Sequence, residues 1–313
     1  MYSRIQCTIA LLLLISFHTF SQTDTVYMFS YFKGNGEDGL HLAYSRDGYR
    51  FTALNNDLSF LKPELSKDKL MRDPCIIRGA DGLFHMVWTV SWSYKGIGYA
   101  SSPDLKNWSK QLCIPVMEHE QEALNTWAPE ITYDKKKRQY IIYWATTIPG
   151  RFAATDSSGD GRYNHRMYYI TTKDFKAFSK AALLLDPGFN VIDATIRDNG
   201  NGYVMFLKDE TKRPKPEKNL KITLSKNITG KYGKLSKPIT GSYWAEGPTA
   251  VKINGSWIVY FDKYMDHKYG AVTSTDLNNW DDISDKISFP EGTRHGTVFA
   301  ITQKEFEQFF GQQ

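Results

Sequence analysis

Cysteine is scarce in this chain of 313 residues: there are three, and Cys7 falls in the N-terminal leader-like stretch, leaving Cys75 and Cys113. A framework of several disulfides is thereby excluded, and their spacing does not decide whether these two pair. Long apolar runs are missing as well. The run over residues 9–17 is too short to span about 30 Å of hydrocarbon. With Arg4 before it and Ser21-Gln22 after it, it reads as a secretory signal peptide over residues 1–22. Cys7 precedes this run, where a lipid-modified cysteine would follow it. The expectation is an exported protein, periplasmic or extracellular, with residues 23–313 as one domain and no stable membrane insertion. Charge is nearly balanced, 39 Lys and Arg against 34 Asp and Glu. The cluster Lys135-Lys136-Lys137-Arg138 sits between two strand-like runs and reads as a solvated hairpin tip, so no nucleic-acid partner is expected. Helical heptads, a phosphate loop, a nucleophile elbow, a dinucleotide fingerprint and metal-ligand histidine spacing are all lacking.

Aromatics, by contrast, are plentiful at 14%, and 23 Gly with 12 Pro supply many turns. That composition suits pleated, half-buried surfaces. The chain also repeats itself. A Ser/Thr-x-Asp-x-x-x-aromatic ending occurs with one spacing from Ser45 to Phe51, Ser102 to Trp108, Thr172 to Phe178 and Ser274 to Trp280. Ser225-Lys226-Asn227 to Tyr232 is a fifth, variant copy that carries one inserted residue. Before each ending lies an aromatic, β-branched run: 27–32, 84–90, 140–146, 203–207 and 257–261. Four of these follow another short strand closed by a turn, such as Asn254-Gly255. Units of about 50 residues with several strands each are the mark of propeller blades. The first copy lacks its upstream strand, and the unpartnered run 297–301 can supply it. The fold expected is therefore all-β, a five-bladed β-propeller whose ring closes by pairing N-terminal and C-terminal strands. A β-sandwich would explain the strands but not five matched endings.

In a propeller the innermost strands line the axis, so residues at their starts converge on one channel mouth. Those starts carry Asp73, Ala128, Asp193 and Glu246, read as equivalent positions. Three acids in four blades are hard to explain as surface turns. Trp92, Trp127 and Trp244 are candidates for stacking on a ring of a bound substrate, with core packing as the alternative. Arg72 and Arg294 are candidates for binding hydroxyls or balancing the acids. Trp108 and Trp280 belong to the repeat and read as structural.

The ordered set Asp73-Pro74-Cys75-Ile76, Trp127-Ala128-Pro129, Ile192-Asp193, Glu246-Gly247-Pro248 and Arg294-His295-Gly296 resembles glycoside hydrolase family 43. The resemblance spans residues 25–303. It implies hydrolysis of an oligo- or polysaccharide of plant type by a monomer, with an arabinofuranosidase, xylosidase or xylanase-like activity and no required cofactor. It assigns Asp73 as the base, Glu246 as the acid, and Asp193 as the carboxylate that orients the acid. Inversion through a bound water then needs base and acid roughly 6.5–9.5 Å apart. It also implies that His295 can help hold a water or a structural calcium on the channel axis, a satisfied core histidine being the other reading. One departure is the complete strand segment ahead of the Asp-Pro motif, which leaves the sugar open. A phosphorylase with other carboxylate roles and a non-catalytic sugar-binding propeller are the alternatives. The loops 148–166 and 209–219 are the places where specificity is expected to reside.

Overall fold

The computed structural model describes residues 24–311, so the leader-like stretch lies outside the described residues. Five antiparallel sheets account for nearly all the regular structure. In chain order the first sheet holds β1 (Thr25–Phe32), β2 (His41–Ser45) and β3 (Thr52–Ala53). The second holds β4 (Arg72–Arg78), β5 (Phe84–Thr89), β6 (Ile97–Ser102) and β7 (Leu112–Ile114). The third holds β8 (Trp127–Asp134), β9 (Gln139–Thr147), β10 (His165–Thr172) and β11 (Ala182–Leu185). The fourth has three strands, β12 (Val191–Asp198), β13 (Tyr203–Asp209) and β14 (Asn219–Ser225). The fifth holds β15 (Glu246–Ile253), β16 (Ser256–Lys263), β17 (Lys268–Ser274) and β18 (Asp281–Asp282). The last strand, β19 (Arg294–Thr302), pairs with β1 along Thr25↔Thr302 to Ser30↔Thr297 and so serves as the inner strand of the first sheet. This is the five-bladed propeller that the repeat implies.

The repeat has a physical reason. In the four endings that carry an aspartate its side chain closes a turn by accepting backbone N–H groups: Asp104 takes those of Lys106 at 3.0 Å and Asn107 at 2.7 Å, and Asp276 those of Asn278 and Asn279. The aromatic that follows then packs between blades. Trp108, Phe178, Tyr232, Trp280 and Phe51 each fall in a different one of five apolar clusters. The cluster holding Phe51 joins Phe29 and Tyr31 of the first blade to Ile258 and Tyr260 of the fifth. Asn254 and Gly255, with φ of 49° and 85°, form the turn whose twist matches the β15–β16 hairpin.

A short helix, α1 (Gln303–Phe310), follows β19 directly. Thr302 and Glu305 cap it reciprocally, and Phe306 and Phe309 are buried against the first two blades. Among the described residues no helix is long and apolar enough to cross a membrane. Cys75 is buried, Cys113 is half-buried, and both are free thiols.

Candidate active site

Each inner strand begins with the same irregularity. Arg72 faces Thr89 and Cys75 faces Val87, so Asp73 and Pro74 bulge out of the ladder. Ala128-Pro129, Asp193-Ala194, Gly247-Pro248 and His295-Gly296 do the same in the other blades. Asp73, Ala128, Asp193 and Gly247 all have left-handed backbone, with φ of 54°, 48°, 53° and 59°. A bulge re-aims the side chain it carries, here toward the channel mouth.

The bulges correct the alignment expected from sequence. Glu246 does not share the position of Asp73 and Asp193; it stands one residue earlier, with Arg72, Trp127, Ile192 and Arg294, and Gly247 takes the aspartate place. Aligning the acids hid the offset. Aligning Pro74, Pro129 and Pro248 would have revealed it. The extra residue leaves Glu246 still facing the mouth, opposite Asp262 on β16.

One cleft of about 260 Å³ at this mouth is lined by Asp73, Asp193 and Glu246, and by Arg72, Trp92, Trp127, Arg294 and His295. Eight of the nine residues singled out from sequence thus meet in one place. Trp244 is not among the lining residues; its ring lies 5.9 Å from Tyr264 with the Lys218 ammonium 5.7 Å away on its face. Trp92 is the exposed wall. Its ring meets that of Trp127 edge-on at 5.4 Å, and the Trp127 indole N–H donates to the Trp92 carbonyl. Arg72 is stacked between Phe32 and Trp92, at 4.6 and 4.4 Å, and donates to the Asn35 side chain.

The three acids occupy different electrical surroundings. Asp73 accepts from the Thr89 hydroxyl at 2.8 Å and lies 3.2 Å from His295 Nδ1. Burial works to raise its pKa, but His295, then Arg72 and Thr89, overcome it and hold the carboxyl at about 2. Asp193 has no such cation in contact; its Oδ2 accepts the Gly247 N–H at 3.0 Å. Burial, reinforced by Glu246 and Asp73 against His295 and Lys208, raises it to about 6. Glu246 is gripped on both oxygens, by Lys208 at 3.0 Å and Arg294 at 3.3 Å. Burial disfavours a charge on His295, yet Asp193 and Asp73 outweigh it and raise its pKa to about 9. His295 is therefore an imidazolium at neutral pH. Among the described residues no group of three or more His, Cys, Asp or Glu is arranged to hold a metal ion.

Sequence reasoning missed Thr89, His165, Lys208 and Glu210, which also line the cleft. Thr89 and Lys208 sit on the second strand of their hairpins, directly across from Arg72 and Ile192. Counting back across each hairpin turn from the inner strand would have found them. One step deeper on the axis, the equivalent positions are Cys75, Glu130, Thr195, Thr249 and Thr297. There buried Glu130 accepts from the Thr195 hydroxyl at 2.6 Å and from Tyr143, closing the channel floor with polar groups that satisfy one another.

Residues 23–307 match a family described as a probable glycosyl hydrolase domain, related to family 43. An α-L-arabinofuranosidase of Bifidobacterium longum subsp. longum is 25% identical over 185 residues, 52% of this chain and 17% of that protein. The chain thus matches less than a fifth of that curated relative's length. Among solved structures, an α-L-arabinofuranosidase from Lactobacillus brevis is similar with a TM-score of 0.56 at 19% identity, covering 68% of this chain and 72% of that one. A thermostable family-43 glycoside hydrolase gives 0.55 at 15%, covering 73% and 81%. An exo-β-1,3-galactanase from Phanerochaete chrysosporium gives 0.52 at 14%, covering 71% and 52%. At these identities the likeness is one of fold.

Proposed function

The chain belongs to this family of glycosyl hydrolase domains related to family 43, and from that membership we propose that it hydrolyses glycosidic bonds of plant-type polysaccharides or their fragments, with inversion at the anomeric carbon. The observation that carries the reading is the convergence of Asp73, Asp193 and Glu246 on one cleft from three separate blades. In the proposed mechanism Asp73 is the base. Held near 2, it stays ionised at any working pH and can accept a proton from the attacking water. Glu246, which lines the same cleft, donates a proton to the leaving oxygen. Asp193 joins the two: it bonds the backbone beside Glu246, and it holds a proton up to about pH 6 in a site where several acids cannot all be charged cheaply. Arg72, stacked and without a carboxylate in contact, offers its remaining N–H groups to sugar hydroxyls, and Trp92 and Trp127 offer a face for a ring.

The cleft is small, of the order of one sugar residue, which favours removal of a terminal unit over cutting within a chain. Arabinofuranose and xylose are the sugars we propose to test first, with galactose next. A panel of aryl glycosides should show turnover on at least one of them, and NMR of the first-formed product should show the inverted anomer. No turnover on any aryl glycoside or oligosaccharide would defeat the enzymatic reading; a retained anomer would defeat the water-mediated mechanism alone. Glu246→Gln should slow natural oligosaccharides about 100-fold or more while sparing substrates with acidic phenol leaving groups, which need little protonation. We also propose that the protein is exported; N-terminal sequencing of the secreted chain should begin close to Thr23.

A further inference from the structure

Lys208 is 3% exposed, and its ammonium lies 3.0 Å from Glu246 Oε2, 2.6 Å from Glu210 Oε2 and 4.7 Å from the centre of the Tyr264 ring. Glu210 is itself tied on its other oxygen to Lys218, which is 1% exposed and lies 3.7 Å from Asp160. Lys212 reaches Asp160 as well, at 2.6 Å. Charges of alternating sign therefore run from residues 148–164, the insertion between β9 and β10, through the loop after β13, and end on Glu246.

Fold stability alone gives little reason for such a line, because a buried ion pair seldom outperforms well-packed apolar side chains of the same volume. Its position supplies one. Lys208 and Glu210 both line the cleft. Among the described residues the other cation on Glu246 is Arg294, whose shorter contact, 2.7 Å, goes to Asp262 instead. The groups facing Glu246 include Lys208 from β13, Asp262 from β16, Tyr264 just after it, Tyr269 from β17, Arg294 and His295 from β19, and Asp193 from β12; Lys208 and Arg294 each join Glu246 to a second carboxylate, and that of Lys208, Glu210, is also anchored by Lys218. Glu210 removes the freedom that a four-carbon side chain would otherwise have.

We infer that Lys208 and Glu210 are a positioning couple for Glu246: Glu210, anchored by Lys218, fixes the Lys208 ammonium, and Lys208 fixes the carboxyl that protonates the leaving oxygen. The inference rests on the assignment of Glu246 as acid. A displacement of about 1 Å at a reacting group is enough to cost two orders of magnitude in rate, so the couple need not touch substrate to govern turnover.

The test uses the full chain and a series of aryl glycosides with graded leaving groups, on Lys208→Met, Glu210→Gln, Glu246→Gln and the double variant Lys208→Met/Glu246→Gln. Lys208→Met should lower kcat about 100-fold on the poorest leaving groups and tenfold or less on the best, with KM changed less than about threefold. Glu210→Gln should show the same pattern more weakly. In the Glu246→Gln background Lys208→Met should cost less than a further threefold, since no acid remains to be positioned. Equal losses across all leaving groups, or losses that multiply in the double variant, would overturn the inference. If Lys208→Met does not fold, Lys208→Arg and Glu210→Gln carry the same comparison, and a leaving-group dependence absent from both refutes it. Should Glu246→Gln itself show no such dependence, the acid assignment has failed, a result distinct from a Glu246→Gln that shows it beside a Lys208→Met that does not.

Discussion

At the scale of single residues, the contrast between Asp73 and His295 is the most informative. A carboxyl held at about 2 beside an imidazole raised to about 9 is an ion pair across the whole neutral range. The consequence for stability has a definite sign. His295 in the unfolded chain titrates near 6.5, so its pairing stabilises the fold in full below that pH and ceases to do so as pH rises through about 9. A change of that size corresponds to about 3 kcal/mol. Urea unfolding at pH 6 and pH 10 should therefore show a loss in the wild type that exceeds the loss in His295→Gln by about that amount. Parallel pH dependences in the two proteins would show that His295 carries no such charge. Asp73 behaves in the opposite way: its contribution is present above 3.8 and disappears only as pH falls through about 2.

At the scale of elements, the bulge at the start of each inner strand decides where chemistry can occur. Aspartate tolerates left-handed backbone better than most residues, which suits Asp73 and Asp193 to their bulged positions. Gly247 holds the same place in the fifth blade for a different reason. A Cβ there would lie 2.4 Å from the His295 ring, on backbone with φ of 59°. Gly247→Ala should accordingly destabilise the protein by about 2 kcal/mol or more, from backbone strain and the clash together, and should lower activity by displacing His295 from Asp73. Chemical denaturation with kcat measured in parallel checks this; a neutral effect on both would mean that the bulge is not rigid. The helix α1 is a second case. Phe306 is fully buried beneath it, and Phe306→Ala should cost about 3–5 kcal/mol while leaving KM unchanged in the protein that remains folded.

At the scale of the whole molecule, the first blade is assembled from both ends of the chain. β19 supplies its inner strand and also contributes Arg294 and His295 to the cleft. Truncation before Arg294 would leave β1 with an unpaired edge and Asp73 without its imidazolium partner. Such a chain should aggregate and lack activity, whereas removal of the residues after Phe310 should be tolerated. Light scattering and activity of the two truncated chains distinguish these outcomes. A soluble, active protein without β19 would show that the blade does not depend on it.

The number of blades, the pairing of the last strand into the first blade and the meeting of Asp73, Asp193 and Glu246 at one mouth were legible in the sequence, because each follows from local chemistry that recurs: an Asx-type turn, an aromatic at fixed spacing and the start of an inner strand. The offset of Glu246, the absence of Trp244 from the cleft, and the parts played by Lys208, Glu210 and Thr89 were not. They depend on which residues two strands place opposite one another, and a bulge shifts that register without altering the residues it shifts. Local sequence determined the blades and their acids. Only the assembled ring, by pressing carboxylates and cations from four blades into one desolvated mouth, decided which carboxyl has its pKa lowered, which has it raised and which is held by a lysine.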